Sequence, residues 1–245
     1  HVYTYKINFM KTELHTAASR GHVKFDWLDT YHYFSFGQYH NPARVHFGAL
    51  RVINDDHIDA GMGFGMHPHD NMEIVTIPLE GDLHHNDSTG RDEIIRANDV
   101  QIMSAGSGIY HSEYNANNDK PVKLFQIWVF PKEKNIKPRY EQLTFSASDR
   151  VNKFQTVVAP DNDNAVWINQ DAWFSLGDFD ANQTQTYNLH KSGSGVYLLV
   201  VNGQVKIGEQ ELNARDAIGI TETDTIEFTA TSNASLLVIE VPMQW

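Results

Sequence analysis

No long segment of this chain repeats its apolar residues with a helical period. It runs instead through short β-branched and aromatic stretches: FGALRVIND, EIVTIPLEG, DVQIMSAG, VKLFQIWVF, FQTVVAP, GVYLLVVNG, TIEFTA and ASLLVIEVP. Each is bounded by Gly, Asn, Asp or Pro at hairpin-like intervals, the pattern of strands joined by tight turns. A predominantly antiparallel sandwich or barrel is the architecture this predicts.

The two halves echo one another. EIVTIPLEGDL (73–83) followed by RANDVQIMSAG (96–106) parallels GVYLLVVNGQV (195–205) followed by NARDAIGITET (213–223). Each reads strand, glycine turn, strand, then a small polar turn ending in Asp. Gly81 answers to Gly203 and Asp99 to Asp216, with a shorter connection in the second copy, so an internal duplication is expected. The charged, proline-containing stretch KNIKPRYEQLTFSASDR (134–150) is the natural divide. It predicts an N-terminal domain over 10–135 and a C-terminal domain over 136–245. Residues 1–9, HVYTYKINF, lack the basic-then-apolar pattern of a signal peptide and are expected to be a non-native remnant before a natural start at Met10.

Composition narrows the partners. The chain has 245 residues, 41% hydrophobic and 20% charged, which are globular values, and no run approaches the roughly 18 apolar residues of a membrane span. A formal charge of −12 without a dense Lys/Arg cluster argues against direct binding to nucleic acid or an anionic membrane. There is no cysteine, so disulfides and thiolate chemistry are excluded and a metal would have to be held by histidine and carboxylate. A cytoplasmic location is expected.

Candidate ligands fall in two places. In GFGMHPHDNMEI (63–74), His67 and His69 project to the same side of an extended segment, and Glu73 has the same parity. In SGIYHSEYN, His111 and Glu113 repeat the i, i+2 relation. Neighbouring strands would bring three imidazoles and one carboxylate to one point, a set suited to iron, manganese, nickel, copper or zinc. Pro68 between the first two histidines fits an edge or irregular strand. Spacing leaves open whether Glu73 or Glu113 supplies the carboxylate; the other would cap a turn or accept a hydrogen bond from a ligand imidazole.

Other features carry blander expectations. His84 and His85 face opposite ways at a strand end and are read as solvated, and His22, His32, His40 and His46 as packing or cavity-mouth residues. The aromatic run WLDTYHYFSFGQYH (27–40) reads as core and edge material, or as a wall for a flat aromatic ligand. Carried to the second copy, His67 and His69 fall on Leu189 and Lys191, and His111 and Glu113 on Phe228 and Ala230. One metal site, in the first half, is therefore expected.

These residues resemble the cupin superfamily. Gly61, His67-x-His69 and Glu73 follow its first motif, with Gly81 one residue late. Gly108-x-x-His111-x-x-x-Asn115 follows the end of its second, although Gly106 and Val100 replace the usual proline and leading glycine. More specifically, RGH (20–22), WLDTYHYFSF (27–36), GFGMHPHDNMEI, EGDLHHNDSTG, QIMSAGSGIYHSEYN, LFQIWVFP and PRYEQ are similar to the pirin family, bacterial branch. The resemblance covers nearly the whole first half and is weak in the second.

It implies an all-β bicupin: two antiparallel β-barrels of the jelly-roll or cupin type, with metal only in the first. The ligands it implies are His67, His69, His111 and Glu113, with Glu73 behind them. One divalent metal, Fe(II) ahead of Mn, Ni, Cu or Zn, would serve a dioxygenase opening a flavonol such as quercetin with O2, with Glu113 also the general base. Alternatives are an iron-dependent redox sensor acting as a transcription cofactor through an unidentified protein partner, or a non-catalytic metal-bound cupin. Phe34 or Phe36 is expected in the substrate wall. Met66 and Tyr33 depart from the family's usual small polar residues and are expected to reshape the pocket.

Overall fold

The computed structural model describes residues 10–245; the expectation for residues 1–9 lies outside them. The first strands are β1 (Lys11–His15), β2 (Gly21–Lys24), β3 (Leu28–His32), β4 (Leu50–Ile58), β5 (Gly63–His69) and β6 (Glu73–Glu80). Next come β7 (Asp82–Asp87), β8 (Asp92–Arg96), β9 (Asp99–Ser104), β10 (Ile109–Asn115), β11 (Val122–Val129) and β12 (Arg139–Thr144). The second half holds β13 (Phe154–Ala159), β14 (Val166–Trp167), β15 (Trp173–Phe179), β16 (Thr184–Asn188) and β17 (Ser194–Asn202). It ends with β18 (Gln204–Ile207), β19 (Gln210–Asn213), β20 (Ala217–Thr221), β21 (Thr225–Ala230) and β22 (Ala234–Pro242).

These strands make two barrels with one strand order. In the first, a seven-stranded sheet β12-β9-β6-β11-β4-β3-β2 faces a four-stranded sheet β5-β10-β7-β8; in the second, β1-β20-β17-β22-β15-β13-β14 faces β16-β21-β18-β19. The echo extends to backbone angles. Gly81 and Gly203 both sit at φ 80°, and a Cβ there would meet Pro121 O at 2.8 Å or Asn233 O at 2.0 Å. Only glycine fits either turn.

The halves exchange strands across the divide expected at 135/136. β12, from beyond that point, pairs with β9 from Arg139↔Ser104 to Thr144↔Asp99. β1 pairs with β20, from Lys11↔Thr221 to His15↔Ala217. Each thus covers a sheet edge that would otherwise be open to aggregation.

Strand alternation sorts side chains into two interiors. The two seven-stranded sheets pack together through Ile53, Phe125 and Ile127 of the first half and Phe174, Tyr197 and Leu237 of the second. Each such side chain contributes roughly 1.5–3 kcal/mol by burial. On the opposite face, the second barrel is filled, by residues including Ile207, Ile226, Phe228 and Val238. The first holds two separate apolar clusters, a plug of Leu28, Ile58, Leu83, Ile95, Val122 and Leu124 and a smaller group of Ile74, Met103, Ala105 and Ile109, with a cavity beside them. Among the described residues no helix is long and apolar enough to cross a membrane.

Candidate metal centre

The centre is built where the edge strand β5 meets β10. His111 pairs with His67 and Ile109 with His69, but Glu113 pairs with Phe64, so β5 carries one residue more than β10 across this step. Such a bulge re-aims the side chains around it. Gly63 permits the close approach: a Cβ there would lie 2.1 Å from Glu113 O. Pro68 sits on a strand with only one neighbour, where its missing N–H costs least.

Three imidazoles converge. Ring centroids are 4.9 Å apart for His67 and His69, 4.4 Å for His67 and His111, and 4.9 Å for His69 and His111. One ligand nitrogen from each lies within 4.8 Å of the others. His67 Nδ1 donates to Gly65 O at 2.7 Å, which orients the ring and keeps Nε2 available to an ion. Burial, with His111 and His67 as positive competitors, lowers the His69 pKa to about 4; burial, with His67 and His85, lowers His111 to about 3. Both imidazoles are therefore neutral near pH 7, the ligating form.

The carboxylate approaches from beside His111. Glu113 is buried, and its Oε2 accepts from Gln126 Nε2 at 2.6 Å. Gln126 in turn accepts from Trp128 Nε1 at 3.3 Å, and Trp128 sets its ring edge-on to His69 with centroids 5.0 Å apart. Glu113 Oε1 and both ring nitrogens of His111 are buried without a hydrogen-bond partner. Such orphans cost about 1–3 kcal/mol each, and a cation with nitrogen and oxygen ligands would satisfy them. The residues therefore fit a borderline divalent metal.

Two nearby readings change. His85, expected in solvent with His84, is completely buried: Nε2 bonds Asp87 Oδ2 at 2.8 Å and its ring centroid is 5.4 Å from that of His111. With His111 and Glu113 it forms a second group of possible ligands. Only His84 is exposed as expected, beside Asp92. Glu73 accepts from Ser104 Oγ at 2.8 Å and from the Asn169 amide at 3.1 Å, not from a ligand imidazole. The turn between β5 and β6 breaks the parity that linked it to His67, and it joins the two halves instead.

The second barrel has no equivalent centre, although its register differs from the alignment drawn through the turns. Ala230 pairs with Val205 as Asn115 pairs with Leu83, so His111 and Glu113 correspond to Ile226 and Phe228. Tyr187 pairs with Ile226 as His67 pairs with His111, which puts Tyr187 and Leu189 opposite His67 and His69. The earlier matches to Lys191 and Ala230 are therefore two residues too far along. The positions are still without metal-binding histidine or carboxylate.

His67, His69 and Glu113 line one side of a cavity of about 500 Å³, walled elsewhere by Trp27, Phe36, Phe64 and Trp128. Phe34 and Tyr33 instead pack between the halves, where Tyr33 donates to Arg215 O at 2.8 Å. Met66 is 56% exposed and, like Tyr33, is not part of the cavity lining. The expectation that these two departures reshape the pocket is corrected accordingly.

Two cupin barrels, one with a histidine-rich centre and one filled with apolar side chains, define the class. Residues 13–129 match the family described as Pirin, and 156–241 match the quercetinase C-terminal cupin domain. Quercetin 2,3-dioxygenase of Escherichia coli (strain K12) is 42% identical over 234 residues, covering 94% of this chain and 98% of that protein. A pirin-like protein of Caulobacter vibrioides is 40% identical over 216 residues, covering 87% and 92%. The crystal structure of the Escherichia coli bacterial pirin YhhW in complex with nickel(II) superposes with a TM-score of 0.89 at 39% identity, covering 95% of this chain and 99% of that one. The chain belongs to the pirin family.

Proposed function

We propose that this protein is a metal-dependent dioxygenase that opens the heterocycle of a flavonol such as quercetin with O2. The observation that carries this reading is the shared cavity, with His67, His69 and Glu113 on one side and the rings of Trp27, Phe36, Phe64 and Trp128 among the side chains around them. Its volume of about 500 Å³ suits a flat, drug-sized molecule. The name of the Escherichia coli relative, quercetin 2,3-dioxygenase, supports the same substrate class.

In this reading His67, His69, His111 and Glu113 hold one divalent transition metal, Fe(II) ahead of Mn, Ni, Cu or Zn. When bound, the metal would supply Lewis-acid and redox chemistry. The nickel(II) complex of the bacterial pirin supports a divalent ion in this fold.

The protein's own groups orient the substrate and move its proton. Trp128 and Phe36, packed edge to face with centroids 5.2 Å apart, form a wall against which the flat rings lie and keep water out. Glu113, once its Oε1 is released from the ion, takes the proton of the enolic hydroxyl on that oxygen as general base, while Gln126 Nε2 keeps hold of Oε2. Both atoms of O2 enter the organic product, the heterocycle opens and carbon monoxide leaves, so no external reductant is consumed.

The test is anaerobic reconstitution with Fe(II), Mn(II), Ni(II), Cu(II) and Zn(II) separately, followed by O2 uptake on a small flavonol panel. Loss of flavonol with stoichiometric O2 uptake supports the proposal. No turnover with any metal overturns it.

A further inference from the structure

The first barrel's cavity has a second polar station that the metal centre does not use. Thr30 and Asp56 face each other across β3 and β4, and Thr30 Oγ1 donates to Asp56 Oδ1 at 2.5 Å. Both residues are buried and both line the cavity. Depth follows from the register. Asn54 lies opposite Gln126, the residue that holds Glu113, and Asp56 lies opposite Leu124 of the apolar plug. Asp56 is thus two residues further down β4 than the level of Gln126, about 7 Å along the strand.

A carboxyl buried beside apolar side chains with one hydroxyl as its hydrogen-bond donor is costly, so the fold should avoid it unless it is used. The second barrel shows how the fold fills the same place. By the same ladders Asp56 corresponds to Gly177 and Thr30 to Phe154, since Gly177 pairs with Phe154 and Leu236 as Asp56 pairs with Thr30 and Leu124. A Cβ on Gly177 would meet the Phe179 ring at 2.5 Å and the Phe154 ring at 3.0 Å. Aromatic rings therefore close the space that the first barrel leaves open. Glu113 and Gln126 are replaced there by Phe228 and Val238, both in the apolar core. The fold does not need a carboxyl at this level; the barrel with a cavity has one.

We propose that Asp56, seated on Thr30, is a specificity-determining residue that hydrogen-bonds a second hydroxyl of the substrate, one ring away from the hydroxyl that meets the metal centre. The inference rests on the flavonol reading and narrows it to polyhydroxylated flavonols, whose remote phenol reaches the deep end of the cavity. A ligand with only the 3-hydroxyl leaves the Asp56 carboxyl without a partner, and polar sites built for a hydroxyl discriminate strongly against analogues that lack it.

The experiment compares quercetin with 3-hydroxyflavone in the metal-loaded full chain, with Asp56→Leu, Asp56→Asn and Thr30→Val alongside native protein. Anaerobic binding is read from quenching of tryptophan fluorescence, Trp27 and Trp128 being in the cavity wall; kcat and KM are read in air, and metal content and melting temperature on every variant. Expected is a tenfold or greater loss of quercetin affinity in Asp56→Leu, an intermediate loss in Asp56→Asn and Thr30→Val, and 3-hydroxyflavone affinity at or above native throughout, highest in Asp56→Leu. Equal effects on the two ligands, or none on either, in variants with native metal content would overturn the proposal. Selective binding lost with Asp56 but no turnover by any variant, native included, would leave the hydroxyl station standing and overturn only the dioxygenase reading.

Discussion

Gln126 holds Glu113 by one oxygen only: Nε2 donates to Oε2 at 2.6 Å, while Oε1 of the same carboxylate is buried and without a partner. The amide therefore decides which oxygen faces the centre. Because its own Oε1 accepts from Trp128, the orientation is passed from the ring that contacts His69. Gln126→Leu should keep the fold and lower metal affinity by about 10–100-fold, the usual effect of losing a partner behind a ligand. Titration with a divalent metal, monitored by calorimetry, measures it; native affinity would show that Glu113 needs no such support.

His67→Ala and His111→Ala should each abolish stoichiometric metal, whereas His84→Ala should not, because His84 lies outside and pairs with Asp92. Metal analysis after dialysis separates the three. Full occupancy in the first two variants would remove the proposed ligand set.

Glu113→Gln should weaken metal binding and stop turnover. Glu73→Gln should spare both and act on stability, since Glu73 bonds Ser104 and Asn169 across the join between the halves. Metal content, kcat and melting temperature, measured together, distinguish the roles; equal loss of metal would return Glu73 to the candidate ligands.

Asp56 predicts a pH dependence. Burial pushes its pKa up to about 7, with the nearby Glu113 and Asp55 carboxylates adding to the shift and the Thr30 hydrogen bond opposing it. The folded protein thus keeps a proton that the unfolded chain releases near the ordinary aspartate value of 3.8. The advantage this proton gives the native state is complete below that value and is lost as pH rises to about 7. In metal-free protein, Asp56→Asn should therefore gain melting temperature relative to native as pH rises from about 4 to about 8. A difference that does not change with pH would contradict the buried, protonated carboxyl.

Much of the centre was legible because its signals are local. The i, i+2 pairs His67/His69 and His111/Glu113 need only an extended backbone to share a face, and Pro68 marks the edge strand β5 on which the first pair sits. What escaped depends on pairing. Parity says that one of His84 and His85 faces inward, but the choice is set by the neighbours of β7, where His85 lies opposite Glu113 and Glu93. Parity counted across the turn at 70–72 misled for Glu73. The match between halves held at the glycine turns and slipped by two residues at β10 and β21, because the intervening connections differ in length. The short polar strands KTELH and RYEQLT have no apolar alternation that could announce them as sheet members; only their long-range partners make them strands.

The exchange of β1 and β12 also explains what a barrel without metal ligands contributes. Cutting the chain at 135/136 would strip β12 from β9 and β1 from β20, so neither piece would carry a finished sheet away with it. The halves are clasped rather than adjoined. A graft that replaced only the second barrel would need to bring its own partner for Lys11–His15 and still offer Arg139–Thr144 to the first. For recombination, as for folding, the indivisible unit is the pair.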